Sequence, residues 1–516
     1  KRIYSKDKRE ITGRDKGVGM QKEILINVES QEKRVAVVEG GALEEYYIER
    51  PSEVTMVGNI YKGVVRSVVS GIGAAFVDIG CGKNGFLYVT DMLAPSHDFD
   101  VLDENGSGSS VRRPRPRPSE INKLAKPGQE VLVQVVKEPI GNKGPRLTTH
   151  IGMPGRFIVL VPLDHHIGIS KKVTDRQERG RLYKILKKIA PAYKMGFIVR
   201  TAGVGKTEWE FKRESRYLAA LWSRIKQDAA KIKGPGIVYE ERGLTFRILR
   251  DIFKEDVNRV LVDDRDEYKK LRHFANSLMP AMKKKLMLYR ERTNLFDSRG
   301  IEKEIEKLYR KKIELKCGGY IFIEETEGLI AIDVNSGSFS RKRMEDTALK
   351  VNLEAAVNIA KQIRLRDIGG IIVIDFIDMA QQKHSSEIFR TLIDAVKRDK
   401  ARIKILKMSE FGIVQMTRQR VRKGVKKVSY QNCPYCGGRG SVKSATTMAI
   451  DVLRAIKKEL ETTRVRSVSA YVHPNVANYL LNEDRPSITK LEHDHRAKIV
   501  IIADPEMHVE NFKIQK

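Results

Sequence analysis

Two short apolar runs that each end in a carboxylate place the strongest constraint on how this chain can fold. The first run, Gly328–Ile332, leads into Asp333, with Asn335 two residues further on. The second run, Ile371–Ile374, leads into Asp375. Four or more consecutive apolar and mostly β-branched residues are typical of a buried strand in a covered sheet. Both runs are therefore predicted to be buried β-strands.

The segment between the two runs is predicted to be helical. Apolar residues recur at helical spacing from about Asp346 to Ile368, and Gly369-Gly370 ends the pattern. Strand, helix and strand then form a βαβ unit, whose parallel strands bring their carboxyl ends to the same edge of the sheet. Asp333 and Asp375 would lie side by side there, and such hard oxygen ligands suit Mg²⁺. The alternative is that each aspartate caps a following turn or helix. Two such residues flanking one crossover favour the metal site.

Length and charge indicate a multidomain protein with a polyanionic partner. The 516 residues exceed what a single core normally supports. Lys and Arg number 97 against 66 Asp and Glu, which gives a net charge of +31. Nucleic acid is favoured over a membrane, because no apolar run approaches the ~20 residues that a spanning helix needs.

Targeting signals and cysteine usage favour a reducing compartment. Residues 1–19 form a basic head that is expected to be disordered, and its acidic residues argue against a signal or transit peptide. Four cysteines are too few to stabilise a chain of this size by disulfides. A cytoplasmic location is expected, with a plastid as the alternative.

Short strand signals separated by glycine turns predict a small barrel between residues 56 and 149. Aromatic residues alternate with basic ones there, as in barrels that stack the bases of single-stranded RNA. Phe86 follows a glycine and is the better exposed candidate, whereas Phe76 could be buried. An Arg-Pro-rich insertion, 104–119, is expected to be disordered, and it could either contact phosphates or simply be solvated.

A glycine-rich segment after the barrel suggests a pocket for one phosphate. The run Arg200–Thr207 fails the P-loop pattern, because Arg200 stands where glycine is required. An arginine fork, the Thr201 hydroxyl and the backbone N–H groups of a turn can still hold a monophosphate. A basic helix, 208–233, is predicted to follow, with Trp209 and Trp222 in the core.

Cys433 and Cys436 have the spacing of a zinc knuckle and are followed by glycines. Structural zinc takes four ligands, so two chains would each donate one pair across a two-fold axis. A redox dithiol is the alternative. The histidines form no convincing catalytic pair, which favours metal-activated water over histidine acid–base chemistry in any nuclease reaction.

Four motifs together resemble the ribonuclease E/G family, in the family's order: Arg200–Gly205, Ala331–Ser336, Arg364–Met379 and Cys433–Gly440. The resemblance covers nearly everything from Met20 onward. Because no long disordered C-terminal segment follows, the chain is more similar to the ribonuclease G type, or to the catalytic half of the ribonuclease E type.

The resemblance implies a multidomain α/β and α+β architecture. Its parts would be an RNase H-like subdomain (20–55 and 246–308), an OB-fold barrel of the S-one type (56–149), a 5′-phosphate sensor (150–245), a DNase I-like catalytic domain (309–430), a zinc link (431–440) and a small α/β domain (441–516).

The activity that the resemblance implies is Mg²⁺-dependent endonucleolytic cleavage of single-stranded, A/U-rich RNA. Cleavage would be stimulated by a 5′-monophosphate and would serve rRNA and tRNA processing and mRNA decay. Zinc-linked dimers would pair into a dimer of dimers, without a membrane span. A non-catalytic RNA-binding or ribosome-assembly factor is the alternative function, and a DNA nuclease is a third.

The resemblance also implies roles for individual residues. Asp333 and Asp375 would hold Mg²⁺, Asn335 would complete the catalytic set, and Asp378 would be structural. The 5′-phosphate would lie among Gly155, Val159, Arg200 and Thr201, and Cys433 and Cys436 would hold Zn²⁺. The RNA-binding residues would be Phe76, Phe86, Lys137, Lys143, Lys171 and Arg402. Lys171 departs from the arginine of some members, which weakens a bidentate phosphate contact there.

Overall fold

The structure is a computed structural model that describes residues 21–51, 55–93, 99–101, 118–139, 143–337, 344–420, 424–463 and 465–516. The predicted disordered head, 1–19, and residues 104–117 of the predicted insertion lie outside the described residues. Two compact units are present, Lys1–Val425 and Lys426–Lys516.

Twenty-five strands and fifteen α-helices occur in the described residues. In chain order the strands are β1 (Lys22–Val28), β2 (Lys33–Glu39), β3 (Ala42–Glu49), β4 (Ile60–Val69), β5 (Ala74–Asp78), β6 (Gly85–Tyr88), β7 (Phe99–Val101), β8 (Glu130–Lys137), β9 (Arg146–Thr148), β10 (Met153–Pro154), β11 (Ile158–Val161), β12 (Ile167–Ser170), β13 (Gly196–Val199), β14 (Gly236–Tyr239), β15 (Val257–Val262), β16 (Leu286–Leu288), β17 (Lys312–Glu314), β18 (Tyr320–Glu325), β19 (Ile330–Asn335), β20 (Gly370–Asp375), β21 (Ile403–Ile405), β22 (Ile413–Arg418), β23 (Ser467–Val472), β24 (Lys498–Ala503) and β25 (Phe512–Gln515). The helices are α1 (Thr90–Leu93), α2 (Ile121–Leu124), α3 (Arg176–Tyr193), α4 (Glu208–Lys231), α5 (Leu244–Ile252), α6 (Arg265–Leu278), α7 (Pro280–Lys283), α8 (Leu295–Ser298), α9 (Ile301–Lys307), α10 (Met344–Leu365), α11 (Gln382–Val396), α12 (Val425–Ser429), α13 (Ala445–Thr463), α14 (Pro474–Asn478) and α15 (Arg485–His495).

The first sheet joins two distant parts of the sequence. Its strand order is β16-β15-β1-β2-β3, with β1 parallel to β15 and antiparallel to β2. Alternate residues of β1 face opposite sides: Ile24 and Ile26 pack with α5 and α6, whereas Leu25 packs with α8 and α9. Helices therefore cover both faces of this sheet.

The predicted small barrel is present. Strands β4, β5, β6, β9 and β8 follow one another, and pairing of β4 with β8 closes the ring. Val65, Val77 and Leu87 fill its interior. Gly63 is needed on β4, because a Cβ atom there would lie 2.5 Å from Cγ1 of Val77. The closed five-stranded ring agrees with the predicted OB-fold. Strand β14, from much later in the chain, also pairs with β4.

A third sheet, ordered β10-β11-β13-β12-β7, packs against α3 and α4. Trp222 on α4 lies in this core and is only 3% exposed, as predicted. The prediction that Trp209 is buried was wrong, because its side chain is 64% exposed. Trp209 lies in the first turn of α4, away from the face that buries Phe211, Leu218 and Trp222.

The fourth sheet, called the carboxylate sheet below, contains the two predicted aspartate strands. Its order is β17-β18-β19-β20-β22-β21, and β19 runs parallel to β20 with α10 as the crossover. The prediction that both strands are buried is confirmed for one face of each strand and was wrong for the other face. α10 and α11 both pack on one face, against Ile332 and Ile374, while Ile371 on the other face is 52% exposed.

The second unit, Lys426–Lys516, is a small α/β module with its own core. Its sheet is ordered β24-β23-β25, and α13 packs on it through Val452 and Ile456. Among the described residues of the whole chain, no helix is long and apolar enough to cross a membrane.

Candidate functional site

Asp333 and Asp375 are direct neighbours on the open face of the carboxylate sheet. The parallel register pairs Asp333 of β19 with Asp375 of β20. Along β19, Ile332 and Val334 point into the core, so Asp333 and Asn335 point the other way, where Asp333 is exposed. Asn335 Nδ2 donates a hydrogen bond of 2.6 Å to Oδ2 of Asp333. The sheet thus presents two carboxylates and one amide at a single point.

The two carboxylates repel each other, so keeping both of them ionised costs electrostatic free energy. Partial burial raises the pKa of Asp375, and repulsion from Asp333 and Asp378 raises it further. A divalent cation between the carboxylates would relieve that repulsion. The donor set fits Mg²⁺, which is typically held by one or two protein carboxylates and keeps several waters. Within the described residues, no group of three His, Cys, Asp or Glu side chains forms a fuller metal site.

Asn352 on α10 holds the loop that follows Asp375. Its side chain is fully buried; Nδ2 donates to the Ile377 carbonyl at 2.8 Å, and Oδ1 accepts from the Ile377 N–H at 3.1 Å. Both hydrogen bonds fix the backbone two residues beyond Asp375. Asn352 falls within the segment predicted to be helical, but its contact with the Asp375 loop was not predicted. A polar residue on the apolar stripe of a helix was the available signal.

Close backbone packing fixes the other end of the site. A Cβ atom at Gly319 would lie 2.7 Å from the Asn335 carbonyl oxygen, and one at Gly337 would lie 2.5 Å from the Gly318 carbonyl oxygen. Gly337 also has a φ of +70°, which favours glycine. These glycines let the chain after β19 lie directly against the start of β18.

The predicted 5′-phosphate residues lie on the third sheet, and the structure joins two of them directly. Arg200 Nη1 donates to the Gly155 carbonyl at 2.6 Å and lies 2.8 Å from Oδ1 of Asp251. Thr201 begins the turn that follows and is exposed, and half-buried Val159 pairs with Ile198 on the neighbouring strand. The arginine is thus oriented by a carbonyl and a carboxylate.

Gly155 is confined by a buried carboxylate. A Cβ atom at this position would lie 2.4 Å from Oε1 of Glu214. That side chain is 3% exposed and accepts hydrogen bonds from the backbone N–H groups of Arg156 and, at 2.9 Å, Phe157. Burial raises the pKa of Glu214 despite these hydrogen bonds. Glycine is therefore required for this turn to close beside Arg200.

Aromatic and basic residues form a row across four barrel strands. Phe76 pairs with Phe86, Phe86 with Arg146, and Arg146 with Lys137. The two phenyl rings are 4.8 Å apart, both are half-buried, and Arg146 lies 5.2 Å from the ring centroid of Tyr88. Such a row offers π-faces and positive charge together.

The remaining predicted RNA-binding residues lie at three other places and are all exposed. Lys143 precedes β9 of the barrel, Lys171 directly follows β12 of the third sheet, and Arg402 directly precedes β21 of the carboxylate sheet. The structure therefore places the predicted RNA-binding residues on three sheets of one unit.

The two predicted zinc ligands lie in the second unit. Cys433 is exposed, and the Gly440 N–H donates to Sγ of Cys436 at 3.3 Å. Hydrogen bonds from the Gly440 and Gly438 backbone lower the pKa of the Cys436 thiol. Two adjacent thiolates fit half of a tetrahedral zinc site. The segment is anchored by His508, whose Nε2 lies 2.5 Å from the Tyr435 carbonyl oxygen.

Comparison with known proteins identifies relatives along almost the whole chain. The model of the Ribonuclease E/G family matches residues 152–421, and that of the RNase E/G, Thioredoxin-like domain matches residues 432–516. The chain is 36% identical to Ribonuclease G of Escherichia coli (strain K12), covering 96% of this chain and 99% of that protein. It is 36% identical to Ribonuclease G of Haemophilus influenzae over 90% of this chain and 92% of that protein. Identity to Ribonuclease E of Escherichia coli (strain K12) is 35% over 96% of this chain, which spans 46% of that protein. The chain belongs to the ribonuclease E/G family.

Proposed function

We propose that this protein is a magnesium-dependent endoribonuclease that cleaves single-stranded, A/U-rich RNA in rRNA and tRNA processing and mRNA decay. The observation that carries the proposal is the register that sets Asp333 beside Asp375 on an open sheet face. The names of the ribonuclease G and ribonuclease E relatives support the same reaction class.

Asp333 and Asp375 would hold the metal ion, and Asn335 would keep the Asp333 carboxylate oriented through its 2.6 Å hydrogen bond. The chemistry supplied with Mg²⁺ bound is activation of a water for attack on the phosphodiester and neutralisation of developing charge. Asn352 keeps the Asp375 loop in place from behind. The open face leaves room for an RNA strand over the two carboxylates.

Replacing Asp333 tests the proposed metal role. We expect Asp333→Asn to lower Mg²⁺-dependent cleavage at least about 100-fold, because loss of a direct ligand should cost no less than loss of an outer-shell partner. RNA affinity, measured by fluorescence anisotropy, should stay within about two-fold, since phosphate contacts elsewhere supply most of it. Glu327→Gln, an exposed carboxylate just before β19, is the matched control. Equal losses of binding and cleavage would contradict the metal role.

The pocket around Arg200 would bind the 5′-monophosphate of the substrate. Arg200 and Gly155 are already joined, and Thr201 adds an exposed hydroxyl at the start of the next turn. A phosphate could share the guanidinium, because its carboxylate partner Asp251 is one-third exposed. The barrel row from Lys137 to Phe76 would hold the RNA strand.

Replacing Arg200 tests the pocket. We expect Arg200→Met to lower the preference for a 5′-monophosphate over a 5′-hydroxyl at least about ten-fold, the scale of a lost charge-assisted hydrogen bond. Cleavage of the 5′-hydroxyl RNA should remain. Arg224→Met removes an arginine that is 81% exposed on α4 and serves as the control for net charge. An unchanged preference for the 5′-monophosphate in Arg200→Met would contradict the proposed sensor role.

The assembly would use zinc shared between chains. Cys433 and Cys436 supply two thiols per chain, and a second chain would complete a four-thiolate site in a homodimer. Such dimers would pair again into tetramers. The finer domain relationships are part of the same proposal: the β16-β15-β1-β2-β3 sheet would be the RNase H-like subdomain, and the carboxylate sheet would belong to a DNase I-like domain.

A further inference from the structure

Phe411 is the most exposed large apolar side chain in the described part of the chain. Its side chain is 77% exposed, compared with 64% for Trp209 and 61% for Leu406. A single exposed aromatic side chain is common on protein surfaces and needs no explanation by itself. The position and the rigidity of this residue are what distinguish it.

The turn that carries Phe411 is held by backbone hydrogen bonds. The Ser409 N–H donates to the Ile413 carbonyl at 2.9 Å, and the Gly412 N–H donates to the Ser409 carbonyl at 3.2 Å. The Ser409 hydroxyl also accepts from the Ile413 N–H at 3.2 Å. Phe411 therefore stands on a closed turn, and little conformational entropy would be lost on contact with a ligand.

The same turn lies against the loop that follows Asp375. Gly412 has a φ of +73°, and a Cβ atom there would lie 3.1 Å from the Phe376 carbonyl oxygen and 3.6 Å from Oδ1 of Asp378. In the antiparallel register, Ile413 is the direct partner of Asp375. Phe411, two residues along, is within roughly 10 Å of Asp375 by strand geometry.

Charged side chains of both signs lie along the hairpin that carries Phe411. Lys407 and Glu410 precede Phe411 in the chain and are both exposed, and the hairpin continues into β22, where Ile413 pairs with Asp375. An exposed ring close to the proposed metal-binding carboxylates matches the chemistry of a nucleotide: the base would contact the ring, and the phosphate would contact the metal ion.

We propose that Phe411 stacks on the nucleobase next to the scissile phosphate and thereby selects RNA that is unpaired at the cleavage site. This inference rests on the endoribonuclease function proposed above. A base within a duplex is already stacked on both faces and cannot offer one to the ring, so stacking on Phe411 requires a splayed, single-stranded base. The contact is tolerant of base identity, since every base has a π-face.

The test combines enzyme variants with abasic substrates. Single-turnover cleavage of a short A/U-rich RNA with Mg²⁺ is measured for the intact strand and for strands that lack one base at each position around the cleavage site. The enzymes are the wild type, Phe411→Leu and Phe411→Tyr, the last of which keeps an aromatic ring. We expect one abasic position to slow the wild type about ten-fold. Phe411→Leu should cleave the intact strand more slowly than the wild type by a similar factor. Phe411→Tyr should cleave it at a rate close to that of the wild type.

The decisive result is whether the missing base and the Phe411→Leu substitution affect the same interaction. If Phe411 contacts that base, the abasic strand and Phe411→Leu remove the same interaction, and their combination should be no slower than either alone. Independent, multiplying effects would overturn the proposal, as would an unaffected Phe411→Leu variant. A smaller native mass for Phe411→Leu would instead assign the ring to contact with a second chain and would also overturn it. A wild type that cleaves no intact RNA with Mg²⁺ would contradict the proposed function itself.

Discussion

At the scale of single residues, the chemistry depends on how neighbouring side chains orient and charge one another. Asn335 and Asp251 each orient a side chain of a proposed site: Asn335 donates a hydrogen bond to Asp333, and Asp251 pairs with Arg200. Both are short polar side chains: Asn335 lies at the end of β19, and Asp251 lies near the end of α5. Sequence alone identified Asp333 and Arg200 as candidates, but it could not show Asp251, which lies about fifty residues away from Arg200 in the chain.

The arginine pair around Asp251 predicts a change in acid stability. Burial alone would raise the pKa of Asp251, but Arg250 and Arg200 outweigh it and hold that pKa below its usual value. A carboxyl group whose pKa is lower in the folded state than in the unfolded state stabilises the fold at pH values above the unfolded-state pKa. This stabilisation is lost as the pH falls through the folded-state pKa. Arg200→Met should therefore move acid unfolding to a higher pH and cost at most about 1 kcal/mol at neutral pH, since both groups are about one-third exposed. Circular dichroism across an acid titration checks this. A midpoint at or below that of the wild type would contradict the pairing.

At the scale of elements, the βαβ unit was predictable and its surroundings were not. Consecutive apolar residues, a helical spacing and a glycine stop determined β19, α10 and β20, and a parallel crossover then required the two aspartates to share an edge. The strand β19 begins at Ile330, two residues later than predicted, and includes Asp333. The open face could not be predicted, because it depends on α11 packing beside α10 on one side only.

The pairing of strands from distant segments could not be predicted from the sequence either. Strand β14 joins the barrel from almost ninety residues beyond β9, the last ring strand along the chain, and β7 pairs with β12 of the third sheet. Short strands carry too little local signal to name their partners.

Helix α10 yields a prediction at this scale, because it holds the Asp375 loop through Asn352. Asn352→Ala would leave the Ile377 N–H and carbonyl without their partner, which should cost about 1–3 kcal/mol of stability. The Mg²⁺ concentration for half-maximal cleavage should rise about 10- to 100-fold, as for other losses behind a metal ligand. Asn358→Ala on the same helix is the control, since Asn358 Nδ2 bonds only within α10, to the Glu354 carbonyl. Equal Mg²⁺ requirements in the two variants would refute the positioning role of Asn352.

At the scale of the whole molecule, the proposed functional sites are distributed over separate sheets. The carboxylate pair, the Arg200 pocket and the barrel row lie on three sheets of the first unit, and the cysteine pair lies in the second. A net charge of +31 over such a chain suits a long, flexible polyanion that contacts several sites at once. Each motif is local, so the sequence could name the candidate residues of each site, whereas their mutual placement is a property of the fold.

The cysteine pair gives a prediction about assembly. Cys433→Ser should remove bound zinc and break the link between the two chains that share it, so that native mass spectrometry shows a smaller assembly than for the wild type. Cys81→Ser, at an exposed cysteine of the barrel region, should leave both zinc content and mass unchanged. A Cys433→Ser protein that keeps the wild-type mass would show that assembly does not depend on the zinc link. A redox role for the pair would instead leave the reduced wild type without zinc.

The most direct test of the account is cleavage of one short, A/U-rich RNA that carries either a 5′-monophosphate or a 5′-hydroxyl, with Mg²⁺ or with EDTA. We predict cleavage that requires Mg²⁺ and is faster on the monophosphate, because Asp333 and Asp375 would hold the metal ion and Arg200 would bind the 5′ end. Mg²⁺-dependent cleavage without a 5′ preference would support the carboxylate site and contradict the proposed 5′-sensor role of Arg200. Tight RNA binding with no Mg²⁺-dependent cleavage would contradict the proposed endoribonuclease activity and would point to a non-catalytic RNA-binding protein.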